Sequence, residues 1–197
     1  MITGVSIDEE AVEDLIELGV RDSKALAPAR RSALYGDILK VCRNVLTLAI
    51  YPDEIDEYVR KGKKYRKLNY LEAIYMARIV NNLSTERVYV DAPDINPVRF
   101  SREISEMLTI NSSVIAEHHA DARHPIVSAA SIVAKVERDN AVDRLRARYG
   151  DFGSGYPSDP KTFAFLCEWV RKNYSPPEFT RKSWKTWNRI LTDRLSV

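Results

Sequence analysis

Two aspartates stand at the ends of predicted strands, where α/β folds place their ligands. Asp91 closes the predicted strand 87–91, and Asp121 comes five residues after the predicted strand 113–116. Carboxylates gathered at one edge of a sheet can hold Mg²⁺ or Mn²⁺, hard cations that take carboxylate and water oxygens and act on phosphodiesters. Each residue also has an ordinary structural explanation, Asp91 as a turn residue before Pro93 and Asp121 as a helix N-terminal cap.

All three histidines of the chain lie close to Asp121. His118, His119 and His124 lack a fourth ligand and a recognisable zinc spacing, so we interpret them as loop residues. Alternatively, one of them assists proton transfer to a leaving oxygen. The two cysteines are isolated thiols without a CxxC pair, so we expect neither a disulfide framework nor a structural zinc site. Any bound metal is therefore expected to be held by oxygen atoms.

The positive charge of the chain is concentrated in two stretches, although 30 Lys+Arg against 28 Asp+Glu leave a net charge of only +2. A single charged run usually marks a solvated face. Two runs, one of them interleaved with Trp184 and Trp187, favour binding to nucleic acid, because cations neutralise phosphates and rings stack on sugars or bases. The members are Arg60, Lys61, Lys63, Lys64, Arg66, Lys67, Arg181, Lys182, Lys185 and Arg189.

The elements that must position these residues alternate between strands and helices. Short apolar runs predict strands at 2–7, 45–50, 87–91 and 113–116. Helical periodicity predicts helices that begin at Pro28, cover 76–83 and run from Ile126 to Tyr149. In the last of these helices Ser131 and Lys135 share a face that is distinct from the apolar stripe. The alternation is typical of a layered α/β domain.

Composition excludes several classes of protein. Apolar residues make up 45% of the 197 positions, with only 7 Gly and 9 Pro, so the chain is neither disordered nor fibrous. No window reaches the roughly 18 consecutive apolar residues of a membrane-spanning helix, and no signal peptide opens the chain. We therefore expect a globular, intracellular protein that does not bind membranes.

Seven segments, taken together and in order, resemble the ribonuclease HII family, particularly its archaeal members. One such segment alone is weak evidence for a family. Seven segments in the same order, spread over nearly the whole chain, make a chance match improbable. They are Arg21–Leu26 (RDSKAL), Leu68–Ala73 (LNYLEA), Tyr89–Asp94 (YVDAPD), Ala116–Asp121 (AEHHAD), Ser128–Val136 (SAASIVAKV), Gly153–Pro160 (GSGYPSDP) and Arg181–Thr186 (RKSWKT).

The resemblance implies a ribonuclease-H-like α/β fold, with a mixed sheet flanked by helices and a mostly helical C-terminal extension. Residues 1–150 would form the α/β domain and residues 151–197 the extension, which would contact substrate. The family cleaves RNA in RNA–DNA hybrids, and ribonucleotides embedded in duplex DNA, with Mg²⁺ or Mn²⁺ held by four acids. We expect a cytoplasmic monomer.

The resemblance also assigns roles to individual residues. Asp91 and Asp121 resemble the third and fourth metal-binding acids of the family. The substrate-contacting positions are matched by Lys24, Ser131, Lys135 and Tyr156. The ring of Tyr156 would lie near the sugar that precedes the RNA–DNA junction, where the 2′-hydroxyl separates RNA from DNA.

One part of the family pattern is missing from the start of the chain. The family opens with a strand that carries Asp-Glu-Ala-Gly-Arg-Gly and supplies the first two acids, whereas the segment 8–12 lacks the glycines. We expect Met1 to Ile7 to match the second strand of the family, and the first strand to be encoded upstream of Met1.

Three functions therefore remain as alternatives. The leading one is a ribonuclease HII. The second is a non-catalytic or vestigial hybrid-binding protein, because two of the four family acids are absent from this chain. The third is a generic metal-dependent phosphodiesterase, which would ignore the 2′-hydroxyl.

Overall fold

The computed structural model describes residues 1–20, 26–61 and 68–195, with side chains described as far as residue 190. The chain divides into two compact units. One unit comprises Met1–Ala49 and Leu68–Arg138, and the other comprises Ile50–Lys67 and Asp139–Val197. The division of the chain into domains at residue 150 stays a prediction, because compactness alone does not show which part folds independently.

The first unit contains four short strands, which form two small sheets among the described residues. Strand β1 (Ile2–Ser6) pairs antiparallel with β2 (Asn44–Leu48), and β3 (Arg87–Asp91) pairs parallel with β4 (Ser113–Glu117). Both pairing directions are present, and helices flank the strands. The mixed α/β architecture predicted from the sequence is therefore confirmed.

Among the described residues, six α-helices and one 3₁₀ turn accompany these strands. They are α1 (Val12–Glu17), α2 (Pro28–Val41), α4 (Leu68–Leu83), α5 (Pro97–Ser105), α6 (Ala120–Arg123), the first half of α7 (Pro125–Tyr149), and a 3₁₀ turn at Glu9–Ala11. Helix α2 begins at Pro28 as predicted, and α7 begins one residue before the predicted Ile126. Proline occupies a first-turn position in α2 and α5, where its missing N–H costs nothing and its fixed φ favours the helix.

The first unit has two hydrophobic clusters. The apolar stripe of α7, which includes Ala129, Ile132 and Val133, packs with β1, α1 and α2. A second cluster joins Ala73 and Ala77 of α4 to β3 and α5. Helix α4 thus packs against β1 and also contributes to the cluster beneath β3. Burial of these side chains positions the strand ends that carry the candidate acids.

The second unit is built mainly from helices. It contains α3 (Pro52–Lys61), the second half of α7, α8 (Pro160–Asn173) and α9 (Thr186–Leu195). Leu166, Val170, Trp187 and Ile190 form its buried cluster. The mostly helical character predicted for the C-terminal part is confirmed. No helix among the described residues is both long and apolar enough to cross a membrane.

The close approach of β1 to α4 depends on Gly4. A Cβ atom at this position would lie 2.3 Å from Cγ2 of Ile79 and 3.1 Å from Cδ1 of Leu83. Gly4→Ala should therefore lower the free energy of unfolding by about 1–3 kcal/mol, because Ile79 must shift in a packed interior. Thermal and urea unfolding, followed by circular dichroism, measure the change.

Gly36→Ala is the matched control. Gly36 is exposed inside α2, and an added Cβ meets nothing within 4 Å. This substitution should raise the free energy of unfolding by about 0.5–1 kcal/mol, because it reduces the backbone freedom of the unfolded chain. Equal effects of the two substitutions would contradict the close contact at Gly4.

Candidate active site

The parallel pairing of β3 with β4 sets where the site lies. Its register places Asp91 opposite Glu117, the last residue of β4. The N–H of Ala92 donates to the carbonyl oxygen of Glu117 at 2.8 Å, so the ladder continues to the end of both strands. Both strands therefore present their carboxyl ends at the same edge, the usual place for a ligand site in an α/β sheet.

The carboxylate of Asp91 reaches the beginning of α6. Its Oδ1 accepts a hydrogen bond from the N–H of Ala120 at 3.1 Å. Asp121 is the next residue along the chain, and only 3% of it is exposed. The structure thus brings the two acids to one end of α6. Their role as metal ligands stays a prediction.

Asp121 is not the N-terminal cap of its helix. The cap position of α6 is occupied by His119, whose φ of 57° is left-handed. This backbone conformation turns the chain from β4 into α6 and is uncommon for a residue with a side chain. Asp121 lies inside the first turn of α6, so the capping explanation does not account for it.

A polar cluster beside the two acids includes one of the three histidines. Oε2 of Glu117 lies 3.0 Å from Nη1 of Arg123 and 3.1 Å from Nε2 of His124. The imidazole of His124 also stacks on Tyr89, with ring centroids 4.4 Å apart. His124 is therefore held in place, whereas His118 and His119 are exposed. The described residues include no group of three or more His, Cys, Asp or Glu arranged to hold a metal.

A pocket of about 450 Å³ opens next to Asp121. Its lining consists of Ile16 and Val20 from the α1 side, together with the segment 121–125. The pocket therefore combines a buried carboxylate with an exposed guanidinium, that of Arg123. Such a combination can accept a polar ligand.

The loop after β3 is anchored by a second, buried carboxylate. Asp94 is 2% exposed and accepts hydrogen bonds from the N–H of Asn96 at 2.8 Å, from Nη2 of Arg99 at 2.5 Å, and from Nδ2 of Asn69 at 3.3 Å. Burial by itself would raise the pKa of Asp94, but these hydrogen bonds and the charge of Arg99 outweigh it, so the pKa is lowered. The loop that follows Asp91 is consequently fixed to both α4 and α5.

The predicted substrate-contacting residues of α7 form one small group. Nζ of Lys135 donates to Oγ of Ser131 at 2.8 Å, across one helical turn. Both side chains are half-buried. Lys24 lies outside the described residues, and so do Lys63, Lys64, Arg66 and Lys67.

Tyr156 belongs to the second unit and is 56% exposed. It lies on a loop held by Asp159, whose Oδ2 accepts the N–H of Ser154 at 2.7 Å and whose Oδ1 accepts the N–H of Lys161 at 2.9 Å. Gly153 has a φ of +77°, and a Cβ atom there would lie 2.6 Å from Oδ2 of Asp159. Glycine is therefore required at position 153. The hydrogen bonds to Asp159 fix the backbone of the loop that carries Tyr156.

Sequence reasoning missed several residues that organise these sites. Glu117 and Asp94 lie inside segments that carry the family resemblance, but neither the contact of Glu117 with Arg123 and His124 nor the contact of Asp94 with the N–H of Asn96 has a sequence signature of its own. A signal was available only for Asp159, since an acid before a proline at the start of a helix is typical of an N-terminal cap. Hydrogen-bond partners distant in sequence become visible only in the folded chain.

Solved structures of two archaeal proteins share this fold. The ribonuclease H2 of Pyrococcus horikoshii matches with a TM-score of 0.86 and 36% identity, covering 100% of this chain and 95% of that one. The ribonuclease HII of Archaeoglobus fulgidus, solved as a complex with PCNA, matches with a TM-score of 0.80 and 36% identity over 96% of both chains. The ribonuclease-H-like fold expected from the sequence is thus confirmed.

Sequence comparison identifies the family. The family model for ribonuclease HII matches residues 1–187. A curated ribonuclease HII from Thermofilum pendens is 47% identical over 186 residues, which is 92% of this chain and 87% of that protein. The chain belongs to the ribonuclease HII family, the metal-dependent endoribonucleases of ribonuclease H type 2.

The loop that carries Tyr156, between Gly153 and Asp159, should lose hydrogen-bond protection at acid pH. Backbone and side-chain hydrogen bonds from Ser154 and the N–H of Lys161 lower the pKa of Asp159 from 3.8 to about 2. Because the folded-state pKa is depressed, the stabilisation is present above about 3.8 and is lost as the pH falls through about 2. Hydrogen-exchange protection factors of the Ser154 and Lys161 amides should therefore fall between pH 5 and pH 2.

Two comparisons separate this local effect from general unfolding. The amide of Leu166, inside α8, should keep its protection over the same range. In Asp159→Asn the protection factors of Ser154 and Lys161 should be low already at pH 5. Unchanged protection of these two amides at pH 2 in the parent chain would contradict the assignment.

Proposed function

We propose that this chain is an endonuclease that cleaves the RNA strand of RNA–DNA hybrids, including at single ribonucleotides embedded in duplex DNA. The observation that carries the proposal is the hydrogen bond from the N–H of Ala120 to Asp91, which brings Asp91 beside Asp121 at the edge where β3 and β4 end. Membership of the ribonuclease HII family supports the same reaction.

The candidate ligands fit a hard divalent cation. Asp91 and Asp121 offer oxygen atoms only, and a site with two carboxylates leaves other positions to water and substrate phosphate, as Mg²⁺ sites commonly do. We propose that these residues hold Mg²⁺ or Mn²⁺ in a two-metal site. When bound, the metal ions would stabilise the attacking and leaving oxygens of phosphodiester hydrolysis.

The protein residues have separate tasks in this proposal. Ala120 fixes the orientation of the Asp91 carboxylate through its N–H. The burial of Asp121 reduces the screening of its charge by water. Ser131, Lys135 and Lys24 would contact the substrate backbone, and Tyr156 would pack against a ribose next to the cleaved bond.

The remaining parts of the proposal concern organisation. We propose that residues 151–197 act as a C-terminal extension that contacts the substrate, while residues 1–150 carry the acids. We propose that the chain works in the cytoplasm, where cysteines such as Cys42 and Cys167 remain reduced. We propose that the chain acts as a monomer.

A second candidate function is a hybrid-binding protein that does not cleave. Two observations favour it. Among the described residues β3 pairs with β4 alone, and no group of three or more potential ligands surrounds Asp91 and Asp121. Two carboxylates alone would position a metal pair poorly, and misplaced groups reduce rates steeply.

Cleavage of three matched duplexes tests the proposed function. The substrates are an RNA–DNA hybrid, an all-DNA duplex, and a DNA duplex with one ribonucleotide, each with Mg²⁺ or Mn²⁺ and with a chelator as control. We expect cleavage of the hybrid and of the single-ribonucleotide duplex, and none of the all-DNA duplex. Binding without cleavage would favour the second candidate, and equal cleavage of all-DNA would indicate a generic phosphodiesterase.

Asp91→Asn should abolish cleavage while sparing hybrid binding. The amide keeps an acceptor for the N–H of Ala120 but loses the charge that would hold a cation, so the cleavage rate should fall by at least about 10²-fold. Gel assays and fluorescence anisotropy measure rate and affinity. Asp37→Asn is the matched control, because Asp37 is a surface acid of α2 paired with Lys40 at 2.8 Å. Retained activity in Asp91→Asn would refute the metal role.

Tyr156→Ala should weaken discrimination at a single embedded ribonucleotide. Loss of the ring removes its contact with the sugar, and we expect cleavage of the single-ribonucleotide duplex to fall roughly tenfold, in line with the value of a stacked ring. Tyr51→Ala, which removes a ring that is 70% exposed before α3, is the control. An unchanged cleavage pattern in Tyr156→Ala would place the ring outside the site.

A further inference from the structure

A buried carboxylate holds the C-terminal basic segment against α3 in the second unit. Asp56 is 1% exposed. Its Oδ2 accepts the N–H of Lys182 at 2.6 Å, and its Oδ1 accepts the N–H of Ser183 at 3.0 Å. Both oxygens of one side chain thus bind consecutive N–H groups that are more than 120 residues away in sequence. We call residues Arg181–Lys185 the basic segment.

Asp56 keeps its negative charge in this buried position. Burial by itself would raise the pKa of Asp56, but the hydrogen bonds from Ser183 and Lys182 and the nearby charge of Arg181 outweigh it, so the pKa is lowered. Hydrogen bonds to an ionised group are the stronger kind. The backbone of the basic segment is therefore fixed by a strong contact.

A second contact fixes the same segment at Arg181. Nε1 of Trp187 donates to the carbonyl oxygen of Arg181 at 2.8 Å. Trp187 is buried with Leu166, Val170 and Ile190 in the core of the second unit. The backbone of the basic segment is consequently fixed at two places, at Lys182 and Ser183 by Asp56 and at Arg181 by Trp187.

The basic segment presents cations and no acid. The ammonium of Lys182 pairs with Asp53 at 3.1 Å, but both groups are exposed, and such pairs contribute little. Within the described residues no hydrogen bond or ion pair engages the side chains of Arg181 or Lys185, and Nε of Arg181 is buried without a partner. Arg60 adds a further exposed cation one turn beyond Asp56 on α3.

We propose that Asp56 is a positioning residue for nucleic-acid binding. It holds the basic segment in the conformation in which Arg181, Lys182 and Lys185 contact the backbone phosphates of a duplex. Phosphate contacts of this kind depend on charge and geometry and carry no sequence information. The inference rests on the proposed function, because the RNA–DNA hybrid is the duplex that would supply the phosphates.

Removing the charge of Asp56 should change the affinity for a duplex in a direction that separates two explanations. Asp56→Asn makes the chain more positive by one charge, so simple electrostatics predicts tighter binding to a polyanion. A positioning role predicts weaker binding, because the NH₂ group of Asn takes the place of one oxygen and cannot accept from the N–H that faces it. The two explanations therefore differ in sign.

The experiment compares Asp56→Asn with Asp53→Asn in the full chain. Affinity for a fluorescent RNA–DNA hybrid is measured by anisotropy at several salt concentrations, and cleavage gives kcat and KM. For Asp56→Asn we expect binding roughly tenfold weaker, a salt slope reduced by about two phosphate contacts, and a raised KM with kcat nearly unchanged. Asp53→Asn, which frees Lys182 from its exposed pair, should bind as tightly as the parent or tighter.

Each outcome either supports or overturns the role of Asp56 as a positioning residue. Asp56→Asn that folds, binds as tightly as the parent and keeps the parent salt slope would overturn the proposal. If Asp56→Asn does not fold, Lys185→Ala replaces it, because Lys185 is exposed. Its salt slope should fall by about one, and an unchanged slope would overturn the proposal.

Failure of the proposed function is recognised separately. If the parent chain binds duplexes in a salt-dependent manner but cleaves none of them, the proposed endonuclease function is refuted. The comparison of binding affinities still tests the role of Asp56. A parent chain that binds no duplex overturns both. A parent chain that cleaves the hybrid, with Asp56→Asn indistinguishable from it, overturns only the role of Asp56.

Discussion

The candidate site depends on the parallel pairing of β3 with β4. This pairing delivers two strand ends to one edge, and the chain leaving β4 must turn at His119 to begin α6. Because of that turn, the N–H of Ala120 meets the carboxylate of Asp91, and Asp121 follows at once. Without the ladder, the two acids would be about 30 residues apart on a flexible chain and could not share a ligand.

Buried or anchored carboxylates that accept backbone N–H groups recur through the molecule. Asp94 fixes the loop after β3, Asp159 fixes the loop that carries Tyr156, and Asp56 fixes the basic segment. In each case a charged acceptor binds N–H groups that no helix or strand satisfies, which costs less than leaving them unpaired. The same residue type thus serves structure at these positions and is proposed to serve chemistry at Asp91 and Asp121.

Local sequence patterns predicted the elements well, because periodicity reports burial directly. The bounds of β3 match the prediction, and α2 begins at Pro28 as predicted. The candidate acids could be found from their position after apolar runs. The anchoring roles of Glu117, Asp94 and Asp56 could not, because each depends on partners brought close only by folding.

The sequence alone determined the fold class and the family, and it named the candidate site residues. The fold class and the family can be recognised from local periodicity and from the order of sequence motifs, neither of which requires the folded structure. The tertiary structure decided which groups meet: that Asp91 reaches Ala120, that His124 stacks on Tyr89, and that Asp56 binds the N–H groups of Lys182 and Ser183. Such contacts require a three-dimensional register between distant elements, and packing of the apolar faces sets that register.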